Sequence, residues 1–176
     1  HKNASSDGIS FLNRMFTITG DINANTYHHV FSALHALNHD TGPIKVILNS
    51  PGGEVQQGFA IYELLKSSEN PVHIYGIGHV MSIASIILQA GEKRYMTPYC
   101  RFMVHNGSVS YDKPMDVDKI KAHMKDIKMD ADIYYDLLGS RSNITRNKII
   151  QMCNHERYLS AQQCLEAGLI DGIEYP

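Results

Sequence analysis

The chain has 176 residues, 43% of them hydrophobic, and a formal net charge of −2. That length suits one domain with a full core, and the near-neutral charge argues against a nucleic-acid footprint or a polybasic membrane patch. No apolar run is long enough to span a bilayer, and three cysteines without C-x-x-C spacing suit a reducing compartment, so a cytoplasmic protein is expected.

Residues 1–14 read as a loose N-terminal arm, polar at its start and lacking the apolar segment of a secretory signal. Met15 to Thr19 predicts a first strand. A helix follows from about Thr26 to Leu37, with Val30, Leu34 and Leu37 on one face, and Thr41-Gly42-Pro43 ends it. Ile44 to Leu48 reads as a short, mostly apolar strand of the parallel type. Val55 to Ser67 has helical spacing at Phe59, Tyr62 and Leu65. Val72 to Ile77 predicts another strand, and the nearly all-apolar Val80 to Ala90 predicts a buried helix. Short strands at Arg94–Met96 and Arg101–Val104 come next. Met115 to Leu138 reads as one long amphipathic helix, and Ile144 to Cys153 as another. The capping-box pattern at Ser160 opens a short helix that Gly168 closes, and Leu169 to Ile173 predicts a last strand. Strand and helix alternate throughout, so the class is α/β with right-handed crossovers, in a single domain over 15–176.

Three segments point to chemistry. A serine hydroxyl needs a base to take its proton and donors to hold the oxyanion, and Ser82 sits near the start of a helix that follows a strand and Gly78. His105 ends a strand, where sites gather in α/β sheets, and an imidazole there suits general base work toward Ser82. Gly52-Gly53, after Ser50-Pro51, offers main chain that approaches a substrate closely. Each segment also has an ordinary reading: a packed helical serine, a satisfied strand-edge histidine, a plain turn. There is no G-x-S-x-G elbow, no Walker spacing and no G-x-G-x-x-G. The ten histidines include no H-E-x-x-H, so neither a metal nor an organic cofactor is expected.

Taken together and in order, Asn49-Ser50-Pro51-Gly52-Gly53, Gly78 to Ser82, Met103-Val104-His105, Glu156-Arg157-Tyr158-Leu159-Ser160 and Glu166-Ala167-Gly168-Leu169-Ile170-Asp171 resemble the Clp-type serine peptidases, as a divergent member. The resemblance covers about residues 15 to 173. It implies a crotonase-like fold, a repeated β-β-α superhelix, with 115–138 as a projecting handle helix. It implies Ser82 as nucleophile, His105 as base and Glu156 as the acid of a triad, with the N–H groups of Gly53 and Ile83 as the oxyanion hole. Gly52, Glu54, Asn106 and Gly107 fall at substrate-binding positions. It further implies a serine endopeptidase working on unfolded polypeptides inside heptameric rings, single or double, fed by an AAA+ ATPase unfoldase of the Clp type.

Several positions depart from the family's pattern. The family's acid is usually aspartate, and here it is Glu156, with Asn154 an alternative for orienting His105. Asn106-Gly107 replaces Gln-Pro, and Gly107 to Asp116 corresponds to the substrate-pairing segment. Asn154-His155 replaces an acidic-Arg pair used between rings, so weaker or pH-dependent ring association is expected. A crotonase-type acyl-CoA enzyme and a Ser–Lys peptidase fit the sequence less well. A weak or inactive subunit of mixed rings is the non-enzyme alternative.

Overall fold

The computed structural model describes residues 8–108 and 114–176. Within them one eight-stranded sheet runs through the molecule, with helices packed against it. The short β1 (Ile9–Ser10) pairs antiparallel with β2 (Met15–Thr19), so part of the segment read as a loose arm joins the sheet. β2 runs parallel to β3 (Ile44–Ser50). Both alternate as half-buried strands do: Phe16 and Ile18 in the first, and Ile44, Val46, Leu48 and Ser50 in the second, face the core. Between them lies α1 (Ala24–Leu37), opened by a reciprocal capping box of Asn23 and Thr26 and buried along Val30, Ala33, Leu34 and Leu37. α2 (Val55–Lys66) follows β3 and buries Gly58, Ile61 and Leu65.

β4 (Val72–Met81) is the element that organises the rest. Its first half pairs with β3 on one side and β5 (Lys93–Met96) on the other, all parallel. The register then shifts: Leu48 faces Gly76, and Ser50 faces Val80, so β4 advances four residues while β3 advances two. Beyond the shift, His79 to Met81 pair parallel with β6 (Arg101–Val104) in place of β5. The strand therefore extends past the expected end at Ile77, and the helix α3 begins only at Ile83, ending at Gln89. A continuous apolar run does not separate buried strand from buried helix by periodicity, and here sheet pairing claims Val80 and Met81.

The remaining elements are α4 (Val117–Ser140), α5 (Arg146–Asn154), β7 (Arg157–Ser160), α6 (Ala161–Glu166) and β8 (Gly172–Ile173). β7 was not expected. It pairs antiparallel with β6, and β8, shorter than the expected strand, pairs parallel with β5. α4 is long and capped by Asp116, and Tyr134, Tyr135 and Leu138 near its C-terminal end are its buried residues. Its earlier turns expose Val117, Ile120, Met124, Met129 and Ile133. The segment Gly107 to Asp116, expected to pair with substrate, lies partly outside the described residues. No helix of the described residues is long and apolar enough to cross a membrane.

One buried charge cluster ties the far edge together. Arg94, 4% exposed, donates to Asp171 from Nε at 3.1 Å and Nη2 at 2.8 Å, and to Gln89 of α3 at 2.7 Å. Burial would raise the Asp171 carboxyl, but hydrogen bonds from Arg94 and the charges of Arg94 and Arg141 outweigh it and hold the carboxyl below its ordinary value. A depressed carboxyl adds stability above the unfolded-state carboxylate range and loses it as pH falls through the folded-state value. Asp171→Asn, which leaves the Arg94 charge unpaired, is expected to cost about 1–3 kcal/mol at neutral pH. In denaturant titrations that deficit should shrink as pH drops below about 4; a deficit independent of pH would contradict the assignment.

Candidate active site

The parallel register of β4 with β6 sets the geometry. Met81 faces Met103, and the Ser82 N–H donates to the Met103 carbonyl at 2.8 Å. Ser82 then leaves the sheet as His105 leaves it one strand over. Their side chains meet: Ser82 Oγ stands 2.8 Å from His105 Nε2, although 23 residues separate them. With the proton on Nδ1, Nε2 accepts from the hydroxyl, the arrangement a general base requires.

Ser82 is not a turn inside a helix, as the sequence suggested. It is the residue between strand and helix, with φ 55° and ψ −128°. A side chain at positive φ is strained by about 1–3 kcal/mol, and this strain presents the hydroxyl at a sharp turn. The sharp strand-to-helix bend occurs here without a G-x-S-x-G motif. The turn is held by main chain and by α3, whose seven residues are all buried.

The glycine turn lies directly against this serine. Gly52 has φ +105°, and a Cβ on it would stand 2.7 Å from Ser82 Cβ and 3.2 Å from Oγ. Gly53 has φ +155°, and a Cβ there would come within 2.3 Å of the Ile22 carbonyl oxygen. Only glycine fits both the backbone and the space. The peptides on either side are tied down: Ile22 N–H donates to Gly52 O at 2.9 Å and Glu54 N–H to Ile22 O at 2.8 Å. Neither the Gly53 nor the Ile83 N–H takes part in the backbone hydrogen bonds among the described residues. The Ile83 group is one of the orphan donors of a helix start. Glu54 is the exposed residue that precedes α2 and makes no side-chain cap bond.

The other expected residues are placed as follows. The β6–β7 register ends at Val104↔Arg157, with His105 the next residue after β6 and Glu156 the residue just before β7. The Glu156 side chain does not reach the imidazole. Glu156 is exposed with φ +48°, and its carboxylate accepts from the Tyr158 hydroxyl at 2.9 Å. Asn154 does not orient His105 either: its Oδ1 accepts from Asn106 Nδ2 at 2.7 Å, and Asn106 Oδ1 accepts from the Tyr135 hydroxyl at 2.6 Å. Asn106 and Gly107, with Ser82, Ile83 and His105, line a cleft of about 760 Å³ closed on its far side by α4 from Met124 to Tyr135. Its lining includes the apolar Val55, Ile127 and Ala131. The tyrosines at 134, 135 and 158 were missed as contributors, because a tyrosine in a helical stripe or beside a strand reads as packing.

Burial pushes the thiols of Cys100, Cys153 and Cys164 up to about 12, so none is a ready nucleophile. Among the described residues no group of three His, Cys, Asp or Glu side chains is gathered to hold a metal ion.

Comparison with known proteins agrees with this arrangement. The Clp protease family profile matches residues 2–175. The chain belongs to the Clp protease family. It is 29% identical over 168 residues to the ATP-dependent Clp protease proteolytic subunit 2 of Treponema denticola, covering 93% of this chain and 83% of that one. The corresponding subunit of Treponema pallidum is 26% identical over 91% of this chain and 81% of its own. The ATP-dependent Clp protease proteolytic subunit of Deinococcus radiodurans is 29% identical over 132 residues, 74% of this chain, and the match spans 64% of that subunit's length. The resemblance read from the motifs is thereby borne out, and so are the α/β class and, at the level of the family, the enzyme class.

The strain at Ser82 yields a stability test. Glycine tolerates φ 55° where alanine keeps the Cβ, so Ser82→Gly should be more stable than Ser82→Ala by about 0.5–2 kcal/mol, after the entropic cost of glycine. Paired thermal melts decide it; equal stabilities would mean the turn carries no side-chain strain.

Proposed function

We propose that this chain is a serine endopeptidase subunit that cleaves unfolded polypeptide by acyl transfer. The observation that carries the reading is the 2.8 Å contact of Ser82 Oγ with His105 Nε2 at a strained turn against Gly52. Ser82 Oγ attacks the peptide carbonyl carbon while His105 takes its proton. The carbonyl oxygen becomes an oxyanion, held by the Gly53 and Ile83 N–H groups. His105 passes the proton to the leaving amine as the C–N bond breaks. Water, deprotonated by the same imidazole, then releases the acyl group and restores Ser82. No metal or organic cofactor enters these steps.

Glu156 is assigned as the group that orients His105. Its place just before β7, at the strand end that pairs with the residue preceding His105, supports this, and its carboxylate must leave the Tyr158 hydroxyl and turn inward to act. An extended substrate chain lies along Gly52, Glu54, Asn106 and Gly107, its side chain entering the apolar cleft under α4. The relatives' description as proteolytic subunits of an ATP-dependent protease supports an oligomeric assembly with an ATPase partner; the assembly is read here as heptameric rings, the partner as an AAA+ unfoldase and the setting as the cytoplasm. The exposed apolar residues of α4 supply a surface for self-association.

A fluorophosphonate probe tests the reading on the assembled protein. Labelling should fall on Ser82 and vanish in Ser82→Ala; an unlabelled wild-type assembly would favour a structural subunit of mixed rings. Glu156→Gln should lower kcat on the order of 10²-fold or more, because the wrong partner then faces the imidazole. Tyr158→Phe, which frees the carboxylate, should not lower it. Full activity in Glu156→Gln would remove Glu156 from the relay.

A further inference from the structure

Two neighbouring side chains on α4 reach the two halves of the Ser82–His105 pair separately. The Tyr134 hydroxyl, Ser85 Oγ and the Ser82 carbonyl oxygen form a closed triangle: the carbonyl oxygen lies 3.2 Å from the Tyr134 hydroxyl and 2.5 Å from Ser85 Oγ, the two hydroxyls lie 2.7 Å apart, and their two protons serve two of the triangle's three sides. The Ser85 N–H donates to the same carbonyl oxygen at 2.9 Å. The Tyr135 hydroxyl, pointing elsewhere, donates at 2.6 Å to Asn106, the residue after His105. Asn106 is also fixed through its own N–H to the Cys153 carbonyl at 3.1 Å and through Asn154.

A buried tyrosine needs a partner for its hydroxyl, and Ser85 alone would satisfy Tyr134. The triangle closes on the peptide of Ser82, a side-chain residue at positive φ. The Ser85 N–H and the linked pair of hydroxyls together resist rotation of the peptide plane that sets where Ser82 Oγ points. Burial drives the Tyr134 phenol well above its ordinary range, so it stays a neutral donor at all working pH. On the other side, Asn106 has no proline ring to stiffen it, and the Tyr135 bond supplies a restraint in its place.

We infer that Tyr134 and Tyr135 are positioning residues that hold the nucleophile and the base in register from a single helix. This rests on the peptidase reading above. Neither hydroxyl enters the proton transfers; Tyr134 acts through the Ser82 peptide, and Tyr135 through the Asn106 side chain, one residue past the base.

Tyr134→Phe and Tyr135→Phe keep the rings and remove only the hydroxyls. With a fluorogenic peptide, each is expected to lower kcat about 3–10-fold while KM stays within about twofold, as for loss of one ordinary hydrogen bond felt after binding. The rate of fluorophosphonate labelling should fall in parallel. Because the two act on different strand ends, the double variant should multiply the losses to about 10–100-fold. Ser85→Ala provides an independent variant of the first arm and should reproduce the Tyr134→Phe loss. Unchanged kcat and labelling in these variants would overturn the inference, as would a raised KM at constant kcat, which would make the tyrosines cleft walls only. Should wild-type protein itself prove inert, the peptidase reading fails, and crystal structures of the same variants still decide this one. A Ser82 φ near 55° and an Oγ–Nε2 distance near 2.8 Å retained in both Phe variants would sink it; a shift in either supports it.

Discussion

Everything at the site depends on β4 changing partners part-way along its length. A strand with one parallel neighbour on each side has no reason to deliver its last residue anywhere special. Here β5 accompanies β4 only as far as Gly76, and β6 takes over at His79. The exchange lets β6 start where β5 has stopped, so its end lies beside the end of β4. Ser82 and His105 leave the sheet together. The contact between them is therefore a product of main-chain pairing, fixed before either side chain chooses a rotamer.

The magnitudes explain why the strained turn persists. Positive φ at Ser82 costs about 1–3 kcal/mol. Immediately after it come Ile83, Ile86, Ile87 and Leu88, all essentially without solvent exposure. Each fully buried side chain of this size contributes about 1.5–3 kcal/mol. Packing of α3 outweighs the strain several-fold, even allowing for a compact unfolded state. The helix can dock only if the chain turns sharply at residue 82, so the core holds Ser82 in its uncommon conformation. Gly52 completes the device from the other side, leaving room where a methyl group would push the serine away, and Gly53 lets the turn lie against the Ile22 backbone.

Much of this was legible in the residues, for identifiable reasons. The short apolar runs of β2 and β3 give parallel strands, and the capping-box pattern at Ser160 marks a helix start. Ser82, His105 and the glycine pair stood out because few other roles need those types in that order. The boundary between β4 and α3 was misplaced, since the apolar run from Val80 to Leu88 fits either state until a partner strand is known. β7 was missed because four residues with a charged start carry little period. The contact of Glu156 with Tyr158 was beyond reach for a different reason: side-chain direction on an exposed residue at φ +48° is set by local sterics and not by pattern.

The division between what main chain fixes and what side chains fix also suits a chain at modest identity to its relatives. At 26–29% identity to the Treponema and Deinococcus subunits, most positions have changed. Sheet register, the glycine turn and the helix that follows Ser82 rely on backbone hydrogen bonds and generic apolar burial, and such features withstand substitution. The orienting group for the base enjoys no such protection. It must reach His105 through its own rotatable bonds, so glutamate in place of aspartate alters the reach, and a neighbouring tyrosine can capture it. The segment after His105 is held by side-chain contacts from α4 and α5. Geometry that depends on single side chains thus lies one layer out from the serine and the histidine, while the pair itself is carried by the sheet.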